Sequence, residues 1–407
     1  MNYSEALQKL ENCGQEHLLK YYEELSDVEK TALLEQIELT DFTVIEQGKS
    51  GEAIKKGVIS PLESLELDAI NENKEEYTNI GVEAIKKGKV AAVLLAGGMG
   101  TRLGSDDPKG MYNIGKTKDV YIFQRIVENL MDVVKVVEKE IYLFVMTSDK
   151  NHTKTVNFFK EHNYFGYNEN YVKFFMQEMA PATDYEGKVY MESKYQISNS
   201  PNGNGGWFSS MKKWGILDII HNEGIEYLNV FAVDNVLQRI ADPSFVGAVI
   251  KHQVEAGAKV VKKAAPDEKV GVMCLEDGRP SVVEYYELTD ELMNTLNDKG
   301  ERVYNFGAIL NYLFEVQALE RIIDNQLPVH IVEKKIPYMD ENGNLVKPEE
   351  PNGHKYEMLI LDMIHELKTC LPFEVERNKE FAPIKNKTGV DSVESARALL
   401  EENGYVL

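Results

Sequence analysis

The chain has 407 residues, of which 45 are Lys or Arg and 67 are Asp or Glu, so its formal net charge at pH 7 is −22. A charge of this sign repels polyanions, which argues against nonspecific binding to nucleic acids or acidic membranes. The length suggests about two or three domains, and hydrophobic residues make up 43% of the chain, as in folded globular proteins rather than disordered ones.

The first predicted element is a mostly helical segment over residues 1–88. Ser26 and Glu29 have the spacing of a capping box ahead of a helix. The segment mixes charged residues with its leucines and has no apolar block of the kind found in secretory signals. We therefore interpret it as a helical layer added to the main domain.

The apolar runs and the cysteines indicate the compartment. The longest apolar runs, Val90–Ala96 and Ile141–Met146, fall far short of the roughly 18–20 residues that a membrane-spanning helix needs. Cys13, Cys274 and Cys370 are odd in number and widely spaced, which fits neither a disulfide framework nor a zinc site. We expect a cytoplasmic protein that has no membrane-spanning segment.

From Lys89 onward, short β-rich runs alternate with longer amphipathic stretches. The predicted strands are Val90–Ala96, Ile141–Thr147, Val172–Gln177, Tyr227–Val233 and Lys259–Lys263. The predicted helices are Val120–Lys139, Thr153–His162, Gly206–His221 and Pro243–Glu255. This alternation predicts an α/β fold with a mainly parallel sheet flanked by helices, and ligands of such sheets bind at the carboxyl ends of the strands.

The last part of the chain is predicted to be a smaller α+β region. A hairpin signal lies at Asp340–Asn344, and a helix is predicted from about Lys355 to Thr369. The sequence thus predicts three consecutive parts, at residues 1–88, 89–330 and 331–407.

The segment Leu94–Gly115, LLAGGMGTRLGSDDPKGMYNIG, has a pattern typical of a phosphate-binding loop. Glycines let backbone N–H groups approach an anion closely, and Arg102 and Lys109 supply positive charge just behind them. The loop is not a dinucleotide fingerprint, because Leu103 stands where the last glycine is required, and no Gly-Lys-Ser/Thr follows as in a Walker loop.

This loop closely resembles the signature loop of the UDP-sugar pyrophosphorylases, above all the UDP-N-acetylhexosamine pyrophosphorylases. The resemblance extends from about residue 89 to 390. Further matching segments are PNGNGG (201–206), FAVDN (231–235), VVEYYE (282–287), KKIPY (334–338), PNGHK (351–355) and FAPIKN (381–386). The resemblance implies a Rossmann-like, GT-A-like nucleotidyltransferase domain with a mixed, mainly parallel sheet. It also implies the Mg²⁺-dependent reaction of UTP with a sugar 1-phosphate, which gives a UDP-sugar and pyrophosphate.

The resemblance also implies roles for individual residues. The implied catalytic cations are Arg102, Lys109 and Lys385, and Lys355 joins Lys385 in binding phosphate. The implied nucleotide-binding residues are Ala96, Gly97, Gly98, Gln177, Gly203 and Asp234, with Gln177 reading uracil and Asp234 also a ligand of the metal. The implied sugar-binding residues are Asn204, Glu284, Tyr285 and Asn305.

The chemistry of such a reaction requires this kind of residue set. A sugar 1-phosphate is already an anionic nucleophile, so attack on the α-phosphorus needs no strong general base. The barrier is mainly repulsion between two polyanions and the need for in-line geometry, which fixed cations and a divalent ion lower.

The sugar is less well specified than the nucleotide. Asn202 stands where the acetylhexosamine enzymes usually have aspartate, Ala308 where they have a sugar-contacting asparagine, and Leu359 where they have an aromatic residue. N-acetylglucosamine 1-phosphate is the first choice and glucose 1-phosphate the alternative. A non-catalytic sensor that binds UTP or a UDP-sugar is the alternative of another class, and the sequence does not disclose the oligomeric state.

Overall fold

The computed structural model describes residues 1–49, 57–325 and 327–407, so predictions for residues 50–56 of the N-terminal segment lie outside the described residues. The described α-helices are α1 (Tyr3–Glu11), α2 (Asp27–Leu39), α3 (Thr43–Lys49), α4 (Leu67–Glu72), α5 (Lys74–Lys86), α6 (Ile122–Val137), α7 (His152–Glu161), α8 (Trp207–Lys213), α9 (Ile216–Glu223), α10 (Pro243–His252), α11 (Asp290–Asn294), α12 (Val316–Ile322), α13 (Ile360–Glu366), α14 (Arg377–Glu380) and α15 (Val393–Glu402). The described strands are β1 (Ile59–Ser60), β2 (Val90–Leu95), β3 (Leu143–Thr147), β4 (Val172–Met176), β5 (Met179–Pro181), β6 (Met191–Ser193), β7 (Gln196–Ile197), β8 (Asn199–Pro201), β9 (Tyr227–Ala232), β10 (Ala256–Lys262), β11 (Val272–Glu276), β12 (Arg279–Val283), β13 (Phe306–Glu315), β14 (His330–Lys334), β15 (Tyr338–Met339), β16 (Leu345–Val346), β17 (Gly353–Glu357) and β18 (Cys370–Glu374).

The chain forms two compact units, each discontinuous in sequence. Unit 1 consists of Met1–Lys55, Gln177–Trp207 and Gln326–Ile360, and unit 2 consists of Lys56–Met176, Phe208–Asn325 and Leu361–Leu407. Neither unit coincides with one of the three consecutive parts that the sequence predicts, and that division stays a prediction.

Unit 2 contains a ten-stranded mixed sheet whose main path runs β1-β11-β13-β9-β2-β3-β4. The strands β9, β2, β3 and β4 pair in parallel, whereas β13 is antiparallel to β9 and to β10. The α/β class and the mixed sheet predicted from the sequence are confirmed. Because β9, β2, β3 and β4 are parallel, their carboxyl ends lie at one edge of the sheet.

The core of unit 2 follows from the hydrophobic pattern of its elements. Every residue of β2 is buried, as expected for a central parallel strand that is covered on both faces. Helix α6 buries an apolar face on which Phe123, Ile126, Leu130 and Val133 recur at helical spacing, and these side chains join one large core cluster with the strands.

Unit 1 combines the N-terminal helices α1, α2 and α3 with small two-stranded antiparallel sheets, β5-β8, β6-β7, β14-β17 and β15-β16. The predicted capping box is present at the start of α2, where Ser26 and Glu29 satisfy each other's backbone N–H groups. Leucines of the helices and residues such as Ala180 and Tyr356 form its separate core.

Two predicted helices differ from the structure. The predicted helix Gly206–His221 is two helices, α8 and α9, because Gly215 between them has a φ of +70°. The predicted helix from Lys355 is wrong at its beginning, since Lys355 lies on β17, where it pairs with Val332 of β14, and α13 begins only at Ile360. The predicted hairpin at Asp340–Asn344 is confirmed by the antiparallel pairing of β15 with β16.

Two further features concern membrane-spanning helices and the cysteines. No helix among residues 1–49, 57–325 and 327–407 has the length and apolar character that crossing a membrane requires. None of the three cysteines forms a disulfide bond, and Cys274 and Cys370 are buried.

Candidate active site

The glycine-rich loop begins directly after β2, at the carboxyl-end edge of the sheet in unit 2. The peptide N–H groups of Gly97, Gly98 and Met99 donate no hydrogen bond to any described residue. A Cβ atom added at Gly98 would meet open space, so the backbone there is accessible to a ligand. Three consecutive free donors on an accessible loop are available to an anion, which is the arrangement that the loop's sequence predicts.

Lys109 lies close behind these free amides. Its peptide N–H donates to the carbonyl oxygen of Gly98 over 3.2 Å, which folds the segment back along the loop. Its Nζ atom lies 3.9 Å from Oδ2 of Asp234, and its side chain is 17% exposed. Burial lowers the pKa of Lys109, as do the positive charges of Lys385 and Arg102, whereas Asp234 acts in the opposite direction. Lys109 thus lies in unit 2 within electrostatic range of one carboxylate, that of Asp234, and of two further cations, Lys385 and Arg102.

The segment that carries Lys385 is fastened to the end of β9. The peptide N–H of Ile384 donates to the carbonyl oxygen of Asp234 over 2.9 Å, and Nζ of Lys385 lies 3.0 Å from Oδ2 of Asp391. Asp234 begins no helix, because the next helix, α10, starts at Pro243 and is capped by Asp242. The structure therefore brings Gly98, Lys109, Asp234 and Lys385 together around one edge of the sheet.

Two of the predicted sugar-binding residues flank the first residue of β11 in unit 2. Val272 pairs with Val283 of β12 on one side and with Gly307 of β13 on the other. Glu284 comes directly after Val283, and Asn305 comes two residues before Gly307. Oδ1 of Asn305 is buried and has no hydrogen-bond partner among the described residues. Such an orphaned acceptor points to a bound ligand group or water.

Tyr285 and Ala308 complete this part of unit 2. Tyr285 is exposed and packs edge-on against Tyr286, with their ring centroids 5.2 Å apart. Ala308 contributes no side-chain polar group, and its peptide N–H donates to the carbonyl oxygen of Gly271 over 2.9 Å. Because β13 runs antiparallel to β9, its beginning lies toward the same sheet edge as Asp234.

Unit 1 holds the other predicted residues: Gln177, Gly203, Asn204 and Lys355. Gln177 comes directly after β4 and is only 7% exposed, and its amide forms no hydrogen bond with the described residues. Gly203 has a φ of +89°, and a Cβ atom there would lie 2.2 Å from the carbonyl oxygen of Met358, so only glycine fits.

The neighbours of Gly203 show how the PNGNGG segment is held in unit 1. Oδ1 of Asn204 accepts a hydrogen bond of 2.9 Å from the peptide N–H of Ile360, the first residue of α13. The amide of Asn202 is 1% exposed, and neither its oxygen nor its nitrogen has a partner among the described residues. Asn202, which replaces the usual aspartate, is therefore a second orphaned polar group.

The sequence reasoning missed three buried residues that shape the site in unit 2. Asn235 donates to the carbonyl oxygen of Glu380 over 2.7 Å and accepts from the peptide N–H of Ala382 over 2.9 Å, which holds the segment that carries Lys385. Ser148 and Asn151 hydrogen-bond to carbonyl oxygens of the glycine loop. Their position in the sequence is the feature that could have identified them, since each follows a parallel strand at the carboxyl-end edge of the sheet.

Comparison with known families gives one match across most of the chain. The family model of UTP–glucose-1-phosphate uridylyltransferase, UDPGP, matches residues 40–406.

Named proteins of two organisms are similar in sequence. The chain is 38% identical to the UDP-N-acetylglucosamine pyrophosphorylase of Saccharomyces cerevisiae over 409 residues, which cover 96% of this chain and 84% of that protein. It is 35% identical to the UDP-N-acetylhexosamine pyrophosphorylase-like protein 1 of Mus musculus, covering 94% of this chain and 80% of that protein.

A solved structure is similar in fold and in sequence. The uridine diphosphate N-acetylglucosamine pyrophosphorylase from Trypanosoma brucei, in complex with an inhibitor, matches with a TM-score of 0.84 at 28% identity, over 98% of this chain and 84% of that chain.

Proposed function

The chain belongs to the UTP–glucose-1-phosphate uridylyltransferase family and is a nucleotidyltransferase, and on that premise we propose that it joins UTP and N-acetylglucosamine 1-phosphate into UDP-N-acetylglucosamine, releasing pyrophosphate. The observation that carries the proposal is the convergence of free loop amides with Lys109, Lys385 and Arg102 in a chain whose net charge is −22. The choice of sugar is supported by the similarity to the relatives described above, most directly to the UDP-N-acetylglucosamine pyrophosphorylase of Saccharomyces cerevisiae.

The reaction follows from this charge arrangement. A phosphate oxygen of the sugar 1-phosphate attacks the α-phosphorus of UTP, a new P–O bond forms, and the bond between the α-phosphorus and the bridging oxygen breaks with pyrophosphate as the leaving group. The loop amides and Lys109 would hold the triphosphate, and Lys385 would offset charge that develops during the transfer. No proton has to be removed from the nucleophile by a side chain.

Asp234 would hold a magnesium ion in this proposal. Among the described residues no group of three or more His, Cys, Asp or Glu side chains could hold a metal by itself. Mg²⁺ commonly takes only one or two protein carboxylates and completes its shell with water and phosphate oxygens, so a single partly exposed carboxylate beside a phosphate site fits it. The ion would supply further charge neutralisation on the triphosphate.

Glucose 1-phosphate remains the second candidate substrate because of one observation. Ala308 presents no hydrogen-bonding side chain next to the Glu284 region, so the amide contact that the acetylhexosamine enzymes make is lost at that position. A site lined by apolar atoms discriminates weakly between substrates, whereas a site built around a hydrogen bond discriminates strongly. The orphaned Oδ1 of Asn305 supports a polar contact to the sugar from the neighbouring position.

A cytoplasmic location also remains part of the proposal.

A pyrophosphate-release assay tests the function directly. The full chain is incubated with Mg²⁺, one of four nucleoside triphosphates, and glucose, galactose, N-acetylglucosamine or N-acetylgalactosamine 1-phosphate. We expect the highest kcat/KM with UTP and N-acetylglucosamine 1-phosphate. A preference for glucose 1-phosphate would replace the sugar assignment, and binding of UTP without turnover of any sugar phosphate would indicate a sensor.

Gln177→Ala should relax the discrimination between UTP and CTP. Gln177 is 7% exposed and its amide has no hydrogen-bond partner in the described part of the chain, so the amide is available to pair with a base edge. Losing a hydrogen bond that reads the base should reduce the ratio of the two kcat/KM values by about tenfold or more. The measurement is pyrophosphate release with each triphosphate, and Gln8→Ala on the exposed face of α1 serves as the control. An unchanged ratio would mean that uracil is read elsewhere.

A further inference from the structure

The carbonyl oxygens of three consecutive residues of the glycine loop, Ala96, Gly97 and Gly98, all accept hydrogen bonds from other residues of unit 2. Nδ2 of Asn151 donates to the carbonyl oxygen of Ala96 over 2.9 Å, and Oγ of Ser148 donates to that of Gly97 over 2.9 Å. The carbonyl oxygen of Gly98 accepts from the peptide N–H of Lys109 over 3.2 Å and lies 3.4 Å from Nδ2 of Asn151. Three consecutive acceptors are therefore occupied by groups of unit 2.

These same three peptide groups carry the free donors. In a trans peptide the C=O of one residue and the N–H of the next point in opposite directions, and the structure has no cis peptide bond among its described residues. Holding the carbonyls of Ala96, Gly97 and Gly98 inward therefore turns the N–H groups of the following residues outward. Those groups belong to Gly97, Gly98 and Met99, the three that donate no hydrogen bond.

The side chain of Asn151 is placed to fix this orientation without touching a ligand. Its side chain has no exposed surface, so it cannot reach a substrate, and Ser148 is 1% exposed. Oδ1 of Asn151 accepts from the peptide N–H of Ser148 over 2.8 Å, which ties the Asn151 side chain to the backbone of Ser148. Although Asn151 precedes α7, its side chain makes no capping hydrogen bond to that helix.

The alternative orientation of the loop would oppose ligand binding. If the carbonyl of Ala96 or Gly98 lost its partner, the peptide could rotate and present an oxygen to the phosphates, where it would repel them. The glycines allow such rotation at little steric cost, because they have no Cβ. A glycine loop that binds anions therefore needs other residues to hold its peptide groups with their N–H bonds toward the ligand.

We propose that Asn151, with Ser148, is a positioning residue that holds the carbonyls of the glycine loop inward so that its amides bind the triphosphate of the nucleotide. The proposal rests on the proposed function for the identity of the natural ligand. On this proposal, the contribution of Asn151 to binding affinity grows with the number of phosphates on the ligand. Binding of the nucleoside alone does not depend on Asn151.

The test compares binding of UTP, UMP, uridine and inorganic tripolyphosphate to the full chain by titration calorimetry. For Asn151→Ala we expect the dissociation constants of UTP and tripolyphosphate to rise about tenfold or more, because a buried carbonyl loses its partner. Uridine binding should not change, and UMP should be affected less than UTP. Ser148→Ala, which removes only the hydroxyl bonded to Gly97, should produce the same pattern with a smaller loss.

Matched variants separate positioning from a general loss of structure. Asn151→Asp keeps the acceptor for the Ser148 N–H group but exchanges the donor for an oxygen, so it should lose UTP affinity. Asn168→Asp makes the same exchange at another turn of unit 2, where the asparagine only accepts from the N–H of Asn170, and it should bind like the wild type. Circular dichroism and the unfolding temperature establish that each variant is folded.

The outcomes are distinguishable from failure of the proposed function. Tripolyphosphate has neither base nor sugar, so it reports on the loop even if no sugar phosphate is turned over. If folded Ser148→Ala and Asn151→Ala bind tripolyphosphate and UTP as the wild type does, the proposal is overturned. It is also overturned if uridine and UTP lose affinity equally, because that is the result of a merely structural role.

Discussion

Lys109→Ala should lower kcat for pyrophosphate release at least about 100-fold, the size of effect seen when one preorganised contact to transition-state charge is lost. Lys109 is the most enclosed cation of the cluster around Asp234, and its backbone is tied to Gly98 of the glycine loop. Its charge is therefore fixed before the substrates arrive. The measurement is steady-state kinetics with saturating UTP and sugar 1-phosphate.

Two variants control this result. Lys118→Ala removes an exposed lysine shortly after the same loop and should leave kcat unchanged. Lys109→Arg keeps the positive charge in a different shape, so it should retain more activity than Lys109→Ala. If Lys109→Ala turned over at a near-normal rate, Lys109 would have no part in the transfer step.

The pH dependence gives Lys109 a separate signature. Because burial and the neighbouring cations lower its pKa, Lys109 loses its proton at a lower pH than an ordinary lysine. The kcat/KM for UTP reports ionisations in the free enzyme, so it should fall on the alkaline side as this proton is lost. In Lys109→Arg the guanidinium stays protonated, and the alkaline fall should move to higher pH.

The sequence predicts those parts of the site whose structure depends on residues close together in the chain. The glycines that follow a buried strand, with Arg102 and Lys109 behind them, require only short-range geometry to form an anion-binding loop. The alternation of β-rich and amphipathic runs predicts the parallel strands β2, β3, β4 and β9 for the same reason. Their carboxyl ends then place Asp234 at the loop's edge of the sheet.

The parts that the sequence does not predict depend on partners far away in the chain. Asn235 holds a segment that begins 145 residues later, and Asn151 bonds a loop 55 residues earlier. Lys355 lies on a strand rather than a helix because β14 pairs with it, and the pattern of residues 355–369 carries no trace of that partner. Sheet register and buried hydrogen-bond networks are properties of the assembled fold.

A buried ion triad supports the end of the segment that carries Lys385. Lys259 on β10 has a fully buried side chain whose Nζ lies 2.5 Å from Oε2 of Glu380 and 3.1 Å from Oδ2 of Asp242. Burial raises the pKa of Glu380 despite the attraction of Lys259. For Asp242 burial acts in the same direction, but Lys259 and Arg239 outweigh it and the pKa is lowered.

Lys259→Met should lower the free energy of unfolding by about 3–5 kcal/mol, the cost of leaving buried charges without their partner. Arg239 cannot replace the lost ammonium fully, because its guanidinium is mostly exposed and lies 3.8 Å from Asp242. Such a loss is a large fraction of the stability of a typical domain. Urea unfolding followed by circular dichroism measures it.

The triple variant Lys259→Met, Asp242→Asn, Glu380→Gln removes the charges together and should recover most of the lost stability, since neutral groups carry no ionic desolvation cost. Asn at position 242 still accepts from the N–H of Ser244 and caps α10. In Lys259→Met alone, the loss should shrink as the pH is lowered, because Glu380 takes up a proton in the folded state more readily than in the unfolded state. If instead the triple variant were as unstable as the single one, the defect would come from packing around the methionine rather than from unpaired carboxylates, and the triad would have no electrostatic role in holding the Lys385 segment.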